Sequence, residues 1–464
     1  MTLKLGVILL AVLPGEEFRG GKHKPIVTII LIAINVAVYL YTSFSSNLPL
    51  LESSDESIMQ LGFKPIYIFT NPAEALIKVF TSMFVHADIF HIFFNMYFLW
   101  LFGSRLEGFI GHKRYLALYL LSGISAVLFH VAFIPVGGYD SLLVPAVGAS
   151  GAISGVLGAY LLMLPYTRLV VCMFFILLPF CFRLSAAAFL ILWFAEQVIY
   201  GYMRLGGVAY FAHVGGFVMG ILLAPRLARY VSRKPSFLEN FYRYLNELYG
   251  IQIIRPRGIG RTTKVILMIL LILVAGGFIY GAYLTSSQQV QPFHVLDVYA
   301  TVENVLQRDQ VALTVEDGQL SFSTSQLTYV RILVNRLTPI LYDKSNAGNS
   351  VNRTLEYTTI VNNIKVPVVF QGVIQYDNEG LVVYASGTVQ SRVVQYDTRT
   401  GRYVLSDYIT IDFTLDRSEV EYSVFTVLCF AAASIGVFAV PAVLKAEEAT
   451  IFTRPEFPEI FPYI

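Results

Sequence analysis

Charge is what this sequence is short of. Only 14% of its 464 residues are Asp, Glu, Lys or Arg, against about 25% in ordinary soluble domains. With 56% hydrophobic residues and a mean hydropathy of +0.63, too little polar sequence remains to cover a water-soluble globule of this length. A soluble protein is therefore excluded. Neither sign of charge dominates, since 33 basic residues face 31 acidic ones and leave a net charge of +2. That balance gives a nucleic-acid partner nothing to hold, and none is expected. Cysteine is scarcer still. Cys172, Cys181 and Cys429 all lie in apolar stretches, so a disulfide framework is not expected and all three read as buried or lipid-facing filler. Their spacing fits no metal motif.

What the chain does have is long hydrophobic runs. A helix needs roughly 20 mostly apolar residues to span a bilayer. Eight segments are candidates: residues 26–41, 83–102, 115–133, 146–164, 184–202, 208–223, 265–284 and 422–444. Residues 169–182 are apolar too, but Pro179 and Arg183 interrupt them, so they read as a connection lying against the bundle. The opening run 5–13 is too short to span, and with no small-residue cleavage site after it, it is a poor signal peptide.

Basic residues sort the loops. Arg19, Lys22 and Lys24 precede the first span, Arg105, Lys113 and Arg114 follow the second, and Arg168 follows the fourth. Arg226, Arg229, Arg233, Lys234 and further basic residues up to Lys264 follow the sixth. All fall on one side if eight spans alternate, which predicts a multi-pass protein of the cell membrane with its amino terminus in the cytoplasm. Between the last two spans the pattern changes to short β-branched and aromatic runs, such as Leu381-Val382-Val383-Tyr384 and residues 408–413, separated by turn signals such as Asp377-Asn378-Glu379-Gly380. These predict a mainly β domain, placed outside by the parity of the spans. Asn352-Arg353-Thr354 within it fits a glycosylation acceptor.

The expected fold class is thus mainly α, a polytopic membrane helix bundle with a mainly β extracytoplasmic domain. The expected layout begins with a cytoplasmic segment 1–25 and a six-helix unit 26–225. A basic linker 226–264 follows, with an amphipathic helix at 235–249 on the membrane face. After it come a seventh span 265–285, the β-rich domain 286–421, an eighth span 422–444 and a cytoplasmic Pro-rich tail 445–464.

Strongly polar side chains inside spans are costly and point to function. Here they gather at His86, His91 and Asn95 near the start of the second span, Ser150 early in the fourth and His213 early in the sixth. The proposed alternation puts all of them toward the outer leaflet. His91 and Asn95 are four apart and share a helical face. His86 lies about 140° away at about 3.6 residues per turn, so it either precedes the helix or points elsewhere. Glycines flank the serine in Gly148-Ala149-Ser150-Gly151 and recur at Gly215, Gly216 and Gly220 beyond His213, which lets two helices approach closely. Serine with a neutral histidine as base is the equipment of nucleophilic acyl transfer. His91, Asn95 and the Ser150 amide can donate to an oxyanion. No intramembrane Asp is at hand to orient His213, so the pair is a dyad. A metal site on His86, His91 and His213 has no carboxylate ligand or H-E-x-x-H pattern beside it.

His86-x4-His91-x3-Asn95, Gly148-Ala149-Ser150-Gly151 and Ala212-His213-x-x-Gly216, in that order on the second, fourth and sixth spans, resemble the rhomboid intramembrane serine proteases. The resemblance covers about residues 24–225 and implies a six-helix catalytic core, with the last two spans and the β domain as additions. It implies Ser150 as nucleophile and His213 as general base. It further implies His91 and Asn95 at the oxyanion hole, His86 and Gly148 in support, and no cofactor or metal. The substrates it implies are transmembrane protein segments held in the lipid bilayer and cut near their outer ends. Arg105-x-Glu107 matches a charged pair of the family with a structural role. Two positions depart from the pattern. Ile77-Lys78 stands where a Trp-Arg often anchors the loop before His86. Ser154 stands where some members pack an aromatic on the histidine, so His213 must be held in another way; Trp193 and Phe194 of the fifth span either line a lateral substrate route or pack against lipid. The alternative function is a non-catalytic relative that binds and escorts transmembrane segments; such relatives typically lack the serine or the histidine, and both are present here. The oligomeric state is not legible.

Overall fold

Backbone amides in hydrocarbon must be satisfied within their own segment, and helices do this for an apolar chain. The computed structural model describes residues 10–14, 24–44, 46, 48–175, 178–205, 207–229, 248, 258–287, 294–316, 319–323, 325, 327–361, 363–397, 402–418 and 420–451. Helix α1 (Ile26–Ser43) is followed by the short α2 (Asp55–Leu61) and α3 (Pro72–Thr81), then by α4 (Ile89–Ile110) with a π-helical turn at Leu99–Gly103. Helices α5 (His112–Gly137), α6 (Ser150–Met163), α7 (Ala186–Tyr202), α8 (Tyr210–Ala228) and α9 (Arg261–Ser286) come next. A β-rich stretch containing α10 (Thr328–Leu337) precedes α11 (Tyr422–Leu444). The chain is mostly helical and is a multi-pass membrane protein: among the described residues, α1, α4, α5, α8, α9 and α11 are long and apolar enough to cross a membrane.

The other two apolar helices are shorter. With 14 residues, α6 is about 21 Å long at ~1.5 Å per residue, less than the ~30 Å of hydrocarbon. Two expected span starts are corrected here. Residues 146–149 are not helical, because Gly148 takes φ +116°, a conformation that suits glycine alone; the helix starts at Ser150. Residues 83–88 do not belong to α4 either. Asp88 caps that helix by accepting the amides of Phe90 and His91, both at 2.9 Å, so His86 precedes the regular helix. Glu107 is fully buried and lies 2.5 Å from His112 Nδ1. Its carboxylate accepts the Val27 and Thr28 amides at 2.8 Å each and the Thr28 hydroxyl at 2.7 Å. It thereby satisfies the open amides at the start of α1.

The cysteine expectation is overturned. Residues 169–182 lie in a hairpin of β2 (Arg168–Phe175) and β3 (Leu178–Ser185), with β1 (Leu10–Pro14) on the far side of β2. Cys172 sits opposite Cys181 with Cα atoms 4.0 Å apart, and the two form a disulfide. Counting cysteines missed this because it took no account of a cross-strand pair nine residues apart. Pro179 is tolerated because β3 is an edge strand. Leu169 and Val171 are buried against the helices, so the stretch does lie on the bundle. Only Cys429 keeps the buried, free state.

The β-rich region is one antiparallel sheet of seven strands: β4 (His294–Val302), β5 (Val305–Glu316), β6 (Gln319–Phe322), β7 (Ser350–Val361), β8 (Ile364–Tyr376), β9 (Val382–Asp397) and β10 (Arg402–Ser418), in the order β6-β5-β4-β10-β9-β8-β7. Residues 402–405 and 408–413, separate runs in the sequence, are one strand with an irregularity between Leu405 and Tyr408. Helix α10, not expected from the sequence, lays Val330, Leu333, Val334 and Leu337 on the sheet. The amphipathic helix at 235–249 and the Pro-rich tail beyond 451 lie outside the described residues, apart from residue 248.

In a turn beside this sheet, Ser345 and Asn346 hydrogen bonds and the nearby Arg353 hold the Asp343 carboxyl down to about 2, below the usual ~3.9. A carboxylate held low contributes stability above its unfolded pKa and loses it as the pH falls through its folded value. The β-rich unit should therefore weaken between about pH 4 and pH 2, and Asp343→Asn should flatten that slope in acid unfolding followed by circular dichroism.

The segment between α1 and α4 is packed between the helices and the sheet. Phe63, Ile66 and Tyr67 share an apolar cluster with Val131 and Ile134 of α5, Val295 of β4 and Phe425 of α11, while Met59 joins the core of the sheet. Beside them Lys64 and Asp309, 1% and 3% exposed, form a buried ion pair. Asp309 also accepts the Ser325 hydroxyl and the Gln310 amide. Arg308 of β5 approaches Glu74 of α3 at 3.5 Å. The sheet thus supplies anchors for a loop that lacks the Trp-Arg of the family pattern.

Candidate active site

Three helices meet at the polar cluster, and glycine allows it. A Cβ on Gly216 of α8 would fall 1.9 Å from the Gly151 carbonyl oxygen of α6, so the two backbones touch where any side chain would hold them apart. Gly216→Ala must push the helices apart. Overpacking of this kind costs about 1–3 kcal/mol, and the variant should unfold earlier and lose most of any activity. Gly276→Ala in α9, where nothing lies within 4 Å of the added carbon, should leave both unchanged. A thermal melt and a cleavage assay on the pair of variants check this.

The close contact brings Ser150 Oγ to 2.8 Å from His213 Nε2. Ser150 is the first residue of α6, where backbone amides have no intrahelical acceptor and the helix dipole is positive. Gly148 precedes it at φ +116°, with its amide donating to the Ser82 carbonyl at 2.9 Å. A Cβ there would lie 2.7 Å from His91 Nε2 and 3.7 Å from Ser150 Oγ. The missing side chain therefore leaves the space between the His91 ring and the serine open. His86 is buried, and its Nε2 faces the Ala149 amide at 3.5 Å while its ring packs edge-on against His91 with centroids 5.0 Å apart. It thus touches the turn that carries Ser150. Asn95 is buried as well, and one of its amide hydrogens goes to the His91 carbonyl of its own helix at 2.9 Å.

The sequence reading missed what holds His213. Its Nδ1 lies 2.7 Å from Gln197 Oε1 of α7, and the Trp193 ring packs beside it with centroids 6.0 Å apart. Ser154, in the position of the family aromatic, donates instead to the Ser150 carbonyl at 2.6 Å. The signal was there to be read. Gln197 is a polar residue inside an apolar span, four residues and hence one helical turn beyond Trp193. Phe194 is fully buried and stacks on Phe217, so it lines no route from the lipid.

Chemically, the arrangement offers a hydroxyl within hydrogen-bond distance of an imidazole nitrogen, with histidine, amide and helix-start groups around it. Comparison with known proteins gives it a context. Residues 73–230 match the family model described as Rhomboid domain. Rhomboid protein 1, mitochondrial, of Saccharomyces cerevisiae is 29% identical over 163 residues, 34% of this chain and 44% of that protein. Presenilin-associated rhomboid-like protein, mitochondrial, of Homo sapiens is 34% identical over 160 residues, 33% of this chain and 39% of its own length. RHOMBOID-like protein 1 of Arabidopsis thaliana is 33% identical over 177 residues, 38% and 40% of the two chains. The chain spans less than half the length of these relatives, and the residues matched by the family model, 73–230, hold every residue of the cluster. Through that helical core, the chain carries a rhomboid domain over residues 73–230.

Proposed function

We propose that this protein is an intramembrane serine endopeptidase that hydrolyses peptide bonds in or near transmembrane segments of other membrane proteins. The observation that carries this reading is the 2.8 Å contact between Ser150 Oγ and His213 Nε2 inside an apolar helix bundle. Ser150 Oγ attacks the scissile carbonyl carbon while its proton passes to His213 Nε2. The carbonyl electrons move to the oxyanion, stabilised by donors from the Ser150 amide, His91 and Asn95. Collapse of the tetrahedral adduct expels the amine, which takes the proton from His213 and leaves an acyl ester on Ser150. Water, deprotonated by the same nitrogen, then releases the acid. The alternative, a binder and escort of transmembrane segments, would need neither side chain, and here the two are in hydrogen-bond contact.

In this reading the eight apolar helices all cross the membrane, with α6 and α7 as short spans inside the bundle. The amino terminus is cytoplasmic and the β-rich domain lies outside. The split of Lys and Arg between loops supports that orientation, and the membrane in this reading is the cell membrane. Two of the relatives above are mitochondrial by name, so fractionation of the tagged protein tests the location separately. The β-rich domain rests on the segment whose Phe63 pairs through two backbone hydrogen bonds with Ala146, four residues before Ser150. This supports a role for the domain in presenting substrates. A fluorophosphonate probe, which esterifies activated serines, tests the chemistry: the protein should label at Ser150, and absence of labelling would count against the proposal.

A further inference from the structure

Two hydrogen bonds on opposite sides of one ring determine what that ring can do. The His213 imidazole has Ser150 Oγ at 2.8 Å on Nε2 and Gln197 Oε1 at 2.7 Å on Nδ1. A carboxamide oxygen can only accept, so Nδ1 must carry the ring proton and Nε2 must offer its lone pair. That is the tautomer a base facing the serine needs. The opposite rotamer of the amide would present its NH2 to Nδ1, protonate Nε2 and leave the ring unable to take a proton. Gln197 is buried at 5% exposure on α7, a helix distinct from those carrying Ser150 and His213, and Trp193 one turn earlier fixes the face of the same ring.

We propose that Gln197 is a positioning residue that selects the Nδ1–H tautomer of His213, with Trp193 as the ring's side support, so that the site works as a Ser-His-Gln triad whose neutral third member orients the base and takes no proton. This rests on the serine-protease reading of the site and goes beyond it. A neutral acceptor fits the surroundings. Burying a carboxylate among apolar helices would carry a large desolvation cost, whereas an amide supplies the orienting oxygen without a charge. The imidazolium formed during catalysis then has no counter-ion. The titratable groups facing His213 are His91 of α4 and His130 of α5, together with Ser150; Glu196, next to Gln197 in the chain, is exposed.

The test uses the full chain in liposomes, with reporter cleavage and the rate of fluorophosphonate labelling both followed from pH 5 to pH 9. Gln197→Met, which keeps bulk but removes the acceptor, should lower kcat and the labelling rate by at least about 10-fold and leave KM within about 2-fold. Gln197→Glu restores an acceptor and adds a negative charge that favours the imidazolium. It should recover activity at high pH and move the acid limb of both profiles upward relative to the native protein. A residue 197 that packed in the bundle without touching the ring would not shift that limb. If Gln197→Met fails to fold, the limb shift in Gln197→Glu decides. Native rates in Gln197→Met, or an unmoved acid limb in Gln197→Glu, would overturn the proposal. Cleavage that persists in Ser150→Ala is a different result and would remove the protease reading itself.

Discussion

Ser150→Ala should abolish reporter cleavage and fluorophosphonate labelling, and His213→Ala should do nearly the same. In each case substrate binding should survive. In the proposed mechanism the hydroxyl forms the bond and the imidazole moves the proton, so neither would do useful work without the other. Effects of residues that act as a unit are strongly non-additive. The double variant should therefore be no worse than either single one, with losses of more than about 10⁴-fold in kcat for each. Purified protein in liposomes with a single-span reporter gives the measurement, and co-purification of the uncut reporter gives the binding control. Undiminished cleavage by both single variants would rule out the pair as the reacting groups, whatever their separation.

The second large effect is on the fold. Lys64→Met should destabilise the junction between the β-rich unit and the helices by about 3–5 kcal/mol, the usual cost of leaving one buried charge without its partner. Asp309 would keep its bonds from Ser325 and Gln310, but these come from neutral donors. Asp309→Leu alone should be as harmful, since it strands the ammonium instead. Combining the two should recover much of the loss, because replacing a buried pair by apolar groups is often neutral or better. Unfolding of the detergent-solubilised protein, followed by differential scanning fluorimetry, reads all three. Single variants that melt like the native chain would show that the pair carries no such weight.

How much of this was legible depended on distance along the chain. The eight apolar helices were visible because hydrophobicity over a window is a local property. The cluster was visible because His86, His91, Asn95, Gly148, Ser150 and His213 each carry a local motif and recur in a fixed order. Gln197 was passed over for the opposite reason: it stands in no motif and acquires meaning only when α7 packs against α8. The disulfide needed knowledge of the hairpin, and helix α10 was hidden in a stretch whose neighbours read as strands. Least accessible of all was the junction of Lys64 with Asp309, 245 residues apart. A lone lysine in a loop gives no sign that a carboxylate will come to meet it.

That junction has a practical corollary for anyone trimming the molecule. Cutting away the sheet would uncover Phe63, Ile66 and Tyr67, now sealed beneath it, along with an orphaned ammonium. Newly bared greasy patches of that kind drive sticking and precipitation. A shortened version that clumps or goes silent would then report on raw edges left by the scissors rather than on what the removed part does.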